Sequence, residues 1–325
     1  MSNKIVFAFV FTAGVMLAAD VPPPWAYGFN GPAANSTQAA PPAAPAAAPA
    51  AAPDTSMKSL PGSKGQFALP QIRDGFGPAD WYPEDHPAMP EIVAHGRKPD
   101  SRACSLCHYP NGKGRPENAG VSGLPTSYFI QTMNDFRNGN RSSADKRKAN
   151  TNAMIAIAKG MTEEDIRNAA EYFGSMKWTP WIKVVETATV PKTRIAGGMF
   201  LSLEGADKEP IGQRIIETPV DAEATETLRN PHSSFIAYVP TGSLKKGEAL
   251  ATKGECAMCH GRDLKGMGPV PGLAGRSPSY LVRQMYDMQA GTRKGQWTEL
   301  MKPVVSKLNS DDMNAIGAYL ASLNP

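Results

Sequence analysis

Apolar residues recur at helical spacing in two stretches that match one another. Ile166, Ala169, Ala170 and Phe173 lie on one face of a helix. Thr162-Glu163-Glu164-Asp165 precedes them and resembles a capping box, with Thr162 as N-cap. Asn309-Ser310-Asp311-Asp312 opens the second stretch in the same way, followed by Met313, Ile316 and Leu320. The pattern predicts further helices over 127–137 and 279–289, and first helices around 91–96 and 247–253. Gly96 and Gly247 would let these first helices cross closely over the last ones, near Tyr172 or Tyr319. Between 179 and 240 the pattern changes. Trp181-Ile182-Lys183-Val184-Val185, Gln213-Arg214-Ile215-Ile216-Glu217 and Phe235-Ile236-Ala237-Tyr238-Val239 are β-branched and partly alternating. They predict a long connector with short strands, since so long a loop without structure is improbable in a compact protein.

The two helical stretches belong to one repeat. Tyr128 and Tyr280 lie 24 residues beyond Cys104 and Cys256. Met133 and Met285, Asp135 and Asp287, Gly139 and Gly291, and Arg141 and Arg293 also fall at equal offsets. The first copy then carries five extra residues in the polar stretch 142–149. Register recovers at Met154 and Met301 and holds through Asp165 and Asp312 to Tyr172 and Tyr319. Matches at fixed offsets imply one fold used twice.

Composition places this repeat in a larger chain. At 325 residues there is room for two domains and additional segments. Gly and Pro, at 30 each, point to long loops and linkers. A formal charge of +4 with no dominant basic run argues against a nucleic-acid partner. No apolar run of about 18 residues or more follows the N-terminus, which excludes a multi-span membrane protein. Lys4, the apolar stretch 5–18 and Ala18-Ala19-Asp20 read as a secretory signal peptide over 1–19, with an uncleaved anchor as the alternative. Membrane association is expected only through that segment. Residues 20–84 read as a Pro/Ala-rich spacer and extended lead-in, with Trp25 and Tyr27 as exposed tail aromatics. A first module then spans 85–178, the connector 179–240 and a second module 241–325.

All four cysteines fall in Cys104-Ser105-Leu106-Cys107-His108 and Cys256-Ala257-Met258-Cys259-His260. C-x-x-C-H is the attachment signature of c-type haem. The thiols add across the porphyrin vinyl groups, and the two-residue gap sets both sulfurs along one side of the ring. The next histidine then lies under the iron. Cys104, Cys107, Cys256 and Cys259 are therefore candidate attachment points, and His108 and His260 candidate proximal ligands, of two covalently bound haem c groups. A zinc ribbon would need the pairs closer than the 148 residues that separate them. Thioredoxin-type disulfides would need a βαβ context. Covalent haem attachment takes place outside the bacterial inner membrane, which agrees with export and a periplasmic location.

The sixth iron ligand decides the function. A thioether favours ferrous iron and closes the site. Met154 and Met301 precede the last helices on stretches expected to fold over the open haem face, and are the candidates. Met133 and Met285 lie inside helices beside apolar neighbours and suit core packing. His86, His95 and His232 recur at no matching position and read as surface or satisfied histidines.

With these residues in view, the chain resembles the tandem dihaem class I cytochromes c over about 90–178 and 241–325. Both C-x-x-C-H motifs, the Ser-Tyr helices, Arg141 and Arg293, the two methionines and the capped final helices carry the resemblance. It implies a mainly α fold of two class I cytochrome c domains joined by the connector with its short strands, and His/Met coordination of both haems. Family members carry electrons between membrane complexes, dehydrogenases and terminal oxidases or reductases, so transient redox protein partners are implied. The first copy departs from the pattern: Tyr109 replaces the usual glycine, and Ala119 stands where the second copy has Pro271, whose carbonyl in the family orients the histidine ring. Two unequal haem potentials are expected from this difference. The resulting expectation is a single-electron carrier and not an enzyme. A dihaem peroxidase would need an open distal site, which the matched methionines oppose. A thiosulfate-oxidising dihaem enzyme with a cysteine ligand lacks a spare cysteine. A fixed cytochrome subunit of a dehydrogenase or oxidase complex keeps the carrier chemistry. Lys146-Arg147-Lys148 is a candidate steering patch, with a solvated loop as the plainer account.

Overall fold

The computed structural model describes residues 21–31 and 54–325. The expected signal peptide over 1–19 lies outside these residues, as does the Pro/Ala-rich stretch 32–53. No described helix is long and apolar enough to cross a membrane.

The lead-in holds a short helix, α1 (Leu69–Ile72), and buries Leu60, Ile72, Trp81 and Tyr82 together. The first module follows with α2 (Glu91–Ala94), α3 (Cys104–His108), α4 (Thr126–Arg137), α5 (Ala149–Gly160) and α6 (Glu163–Gly174). The Thr162 hydroxyl accepts from Asp165 N at 3.1 Å, and the Asp165 carboxylate accepts from Thr162 N at 2.8 Å, so the capping box forms. Ile166, Ala169, Ala170 and Phe173 turn inward against Ile92, Phe129 and Phe136. Each such large apolar side chain contributes roughly 1.5–3 kcal/mol of burial.

The connector is a small β unit. Strand β1 (Ile182–Thr187) leads into two hairpin pairs. The inner pair is β3 (Thr193–Ala196) with β4 (Met199–Ser202), and the outer pair is β2 (Thr189–Pro191) with β5 (Lys208–Pro210). Strands β6 (Ile216–Pro219) and β7 (Phe235–Pro240) then complete a three-stranded sheet in the order β1-β7-β6. β7 runs parallel to β1 with Ile182 opposite Phe235, and antiparallel to β6 with Ile216 opposite Tyr238. Alternate residues Phe235, Ala237 and Val239 are fully buried. The unit packs in two directions. Trp181, Met199, Leu201 and Phe235 close on Tyr109 of the first module. Val190, Phe200, Ile215, Ile216 and Val239 join the core of the second.

The second module contains α7 (Ser243–Lys253), α8 (Cys256–His260), a hairpin of β8 (Gly266–Met267) and β9 (Val270–Pro271), α9 (Pro278–Gln289), α10 (Lys302–Val305) and α11 (Ser310–Ser322). Asn309 and Asp312 cap α11 reciprocally. A Cβ at Gly247 would overlap the Ala315 carbonyl and sit 2.6 Å from Tyr319 Cβ, so glycine is what lets α7 cross α11 closely. Gly96 does not play the matching part. α2 ends at Ala94, and Gly96, at φ +68°, turns a tight loop closed by pairing of Arg97 with Ser101. Gly96 and the nearby Pro99 stop the helix before it can reach the crossing.

The lead-in expectation is corrected in two places. Trp25 is 7% exposed and Tyr27 fully buried, so neither is a free tail aromatic. Tyr27 donates to Asp287 Oδ1 at 2.9 Å, and Arg283 donates to the Ala26 carbonyl at 2.7 Å, so this segment is latched onto α9. Residues 54–84 likewise fold as a packed unit, with the Trp81 indole N–H donating to the Leu228 carbonyl at 2.8 Å.

Candidate functional site

The first motif forms the single turn α3, with Ser105 donating to the Val93 carbonyl at 2.8 Å and pinning it to α2. Cys104, Cys107, His108, Met154, Met133 and Met161 all line one cleft, which encloses about 1120 Å³ of space partly open to solvent. The structure therefore brings Met154 and His108 to the same cavity. Met154 arrives there differently from expectation, because it lies inside α5 and not on a loop. Met133, expected in the core, is 4% exposed and also reaches the cavity wall.

The second motif forms the matching turn α8. Cys256 and Met301 are half-buried and pack against the second module's core, while Cys259 is exposed. Met301 sits between a 3-10 turn over Gln296–Leu300 and α10. None of the four cysteines is disulfide-bonded.

The two histidines share one geometry. His108 Nδ1 lies 2.8 Å from the Ala119 carbonyl oxygen, and His260 Nδ1 lies 2.8 Å from that of Pro271. A carbonyl can only accept, so Nδ1 carries the proton and Nε2 is left as the free lone pair. Burial lowers the pKa of both rings, against a smaller opposing effect of those carbonyls. Both are thus neutral imidazoles, the form that binds metal. Burial also pushes the Cys104 thiol up to about 12. It stays a thiol at neutral pH, which does not suit a thiolate metal site. Residues, cavity and tautomer together fit a covalently held haem.

Beyond the histidine the two copies diverge. Gly261 takes φ +82° and ψ +154°, and Tyr109 takes φ +61° and ψ +157° at the equivalent place. That region belongs almost entirely to glycine and costs another residue about 1–3 kcal/mol. Packing of the Tyr109 ring, 2% exposed, among Trp181, Met199 and Phe235 offsets the strain. Arg229 of the connector donates to the Leu106 carbonyl within α3. The connector therefore seals the outer side of the first motif.

The modules meet through the repeated loops after α4 and α9. Arg141 pairs backbone-to-backbone with Arg293, and Ser142 N donates to the Thr292 carbonyl at 2.8 Å. Arg293 donates to the Tyr128 hydroxyl at 2.8 Å, and Arg141 reciprocally to that of Tyr280 at 3.2 Å. Burial opposes ionisation of Tyr128, but Arg293 and Arg141 win and lower it to about 8. The repeat had singled out these four residues. Sequence reasoning missed Arg276 and Arg283, which have no counterpart in the first copy. Arg276 donates to the carbonyls of Gly120 (3.1 Å) and Ser122 (3.0 Å), and Arg283 to those of Pro116 (2.7 Å) and Asn118 (3.3 Å). Both thus hold the loop that carries Ala119.

The remaining histidines are locally satisfied. His86 contacts Asp80 at 3.1 Å, His95 the Phe76 carbonyl at 3.3 Å, and His232 pairs with Asp85 and stacks on Tyr82. In the Lys146-Arg147-Lys148 run, Lys146 and Arg147 are exposed on a loop, and Lys148 alone turns inward. Arg147 pairs with Asp145 at 2.7 Å and stacks on Phe29, while Lys148 is 3% exposed.

A family model described as Cytochrome c matches residues 93–177 and 244–324. The chain is 24% identical over 232 residues to the thiosulfate dehydrogenase electron acceptor of Stutzerimonas stutzeri (strain A1501), covering 70% of this chain and 82% of that protein. It is 21% identical over 223 residues to cytochrome c4 of Pseudomonas aeruginosa, covering 68% of this chain and 84% of the relative. Among solved structures, reduced recombinant cytochrome c4 from Pseudomonas stutzeri aligns at a TM-score of 0.44 and 19% identity, over 68% of this chain and 93% of the other.

Proposed function

The chain belongs to the cytochrome c family, and from that premise we propose that it is a periplasmic electron carrier with one haem c in each module, over 85–178 and 241–325. Cys104 and Cys107, and Cys256 and Cys259, form the thioether links. His108 and His260 are the proximal ligands, and Met154 and Met301 the distal ones. The observation that carries the assignment is the 2.8 Å contact from each histidine Nδ1 to a backbone carbonyl, which fixes the tautomer and leaves the Nε2 lone pair free to ligate an iron. When bound, the two irons supply a one-electron ferric/ferrous couple. The thioethers of Met154 and Met301 favour the ferrous state and exclude other ligands.

Partner access is unequal. Around the second motif Met258, Met267 and Leu300 are 69%, 54% and 73% exposed. Around the first, Leu106 and Tyr109 are buried under the connector. We therefore assign exchange with transient redox proteins to the second module, through the small interface that fast turnover needs. One relative is named for accepting electrons from a thiosulfate dehydrogenase, so a dehydrogenase is the proposed class of donor. Export rests on the signal sequence over 1–19.

The test is the visible spectrum of the reduced, exported protein before and after carbon monoxide. Two low-spin haems and no change are expected. Rapid binding at one haem would remove the methionine assignment there and favour a dihaem enzyme.

A further inference from the structure

The extra residues of the first copy bring Lys148 into the molecule. Six residues before Met154 stands Lys148, and six before Met301 stands Gly295. Lys148 lines the cavity that contains Cys104, His108 and Met154. Its Nζ is buried and finds no hydrogen-bond partner among the described residues. An unpaired ammonium in that setting is costly, so a buried charge of this kind needs an opposite one.

The neighbouring carboxylates do not supply it. Glu117 contacts Arg115 at 2.6 Å through Oε1, and although its Oε2 is buried without a hydrogen-bond partner, no ion pair joins it to Lys148 among the described residues. Asp145 is held by Arg147. Asp287 accepts from Tyr27 and from Ala144 N. The other facing charge, Arg283, is a second cation, engaged with backbone carbonyls. A carboxylate on the wall of this cavity would pair Lys148, and the haem that Cys104, Cys107 and His108 would hold there bears two.

We infer that Lys148 is the counter-charge to a propionate of the first-module haem, and that it sets the potential of that haem apart from the second. The inference rests on the two-haem reading above. A cation fixed in a poorly solvated wall stabilises the less positive ferrous state and raises the potential. The second module has Gly295, with no side chain, at the matching sequence position and so lacks this cation.

The same lysine couples potential to pH. Burial and then the Arg283 cation push Lys148 down to about 7, against the pull of Glu117, Asp287 and Asp145. A propionate raises it again, so the ammonium loses its proton at or above neutrality. Reduction makes Nζ more basic. With haem bound, each electron accepted from an external donor would be accompanied, in the pH range around the lysine's pKa, by uptake of up to one solvent proton at Nζ, and oxidation would release it. The first-module potential therefore falls as pH rises through the lysine's pKa.

Spectroelectrochemical titration of the exported holoprotein, below and above neutrality, tests this with K148M and K148R. In K148M one wave drops by about tenfold in its ferrous-to-ferric ratio at fixed poise, about 59 mV for one electron, and loses its pH dependence. The other wave stays in place. K148R keeps the raised potential but not the pH dependence. Unmoved waves in K148M, with two haems counted from the pyridine haemochrome spectrum, overturn the inference. A haem count below two overturns the cytochrome reading instead. Should K148M fail to fold, an unchanged pH dependence in K148R is the overturning result.

Discussion

The two modules hold their histidines at one distance by different means. In the second, the accepting carbonyl belongs to Pro271, whose ring fixes φ and whose strand pairs with Gly266 across the β8–β9 hairpin. The stiffness is local. In the first, Ala119 supplies the carbonyl from a loop without a proline at that place. Arg276 and Arg283, both from the second module, hold that loop by four neighbouring carbonyls. Duplication has preserved the contact and relocated what enforces it. The first site leans on the second module through four carbonyls, and the second leans back through one, the Trp178 indole N–H donating to the Gly275 carbonyl at 3.1 Å.

The largest effect should come from Arg283→Leu. It strands the carbonyls of Ala26, Pro116 and Asn118, each costing about 1–3 kcal/mol when left unsatisfied, and should destabilise the protein by about 3 kcal/mol or more. Thermal melts followed at each haem should show the first site failing earlier. Equal loss at both sites would break the comparison. Gly247→Ala should act in the opposite module. Forcing α7 from α11 should cost about 1–3 kcal/mol by denaturant titration, with the second module opening first.

Tyr27→Phe should be milder. It removes the hydroxyl that donates to Asp287 and should lower stability by about 1 kcal/mol. Burial already raises the Asp287 pKa, and loss of this donor should raise it further. A wild-type urea midpoint would mean the latch is held by Trp25 packing alone.

The smallest effect is acid-linked. The Arg97 hydrogen bond lowers the Asp165 pKa, with burial opposing. Asp165 therefore contributes stability above the ordinary aspartate pKa and loses it as pH falls through its folded value. Acid titration of the urea midpoint should be shallower in Arg97→Ala. An unchanged slope would remove Arg97 as the cause.

What the sequence revealed was local. The caps at Thr162 and Asn309 and the turns of both motifs depend on residues a few positions apart. Strands were anticipated around 181–190, 213–217 and 235–239, where β1, β6 and β7 contribute to one sheet. The β3–β4 hairpin had a readable signal in Gly197-Gly198, whose φ angles of +57° and +87° suit a tight turn between strands. Long-range burial was not legible. Nothing near Trp25 shows that Tyr27 meets Asp287, and nothing near Lys148 shows that it turns inward. Gly96 and Gly247 look equivalent in sequence, yet α2 is too short to use the first as a crossing point. The alignment of Ala119 with Pro271 left a carbonyl available to His108 at that place; its anchorage by arginines from the other copy was not legible.

The Tyr27–Asp287 contact joins positions 260 residues apart. A ribosome releases the first of them long before the second. Folding is therefore retrograde at this point, because the earliest-made segment has no seat until nearly the whole chain exists. Loop-closure entropy and high contact order both place such a contact late. Until it closes, the α9 wall of the first cavity lacks the latch that the lead-in segment supplies.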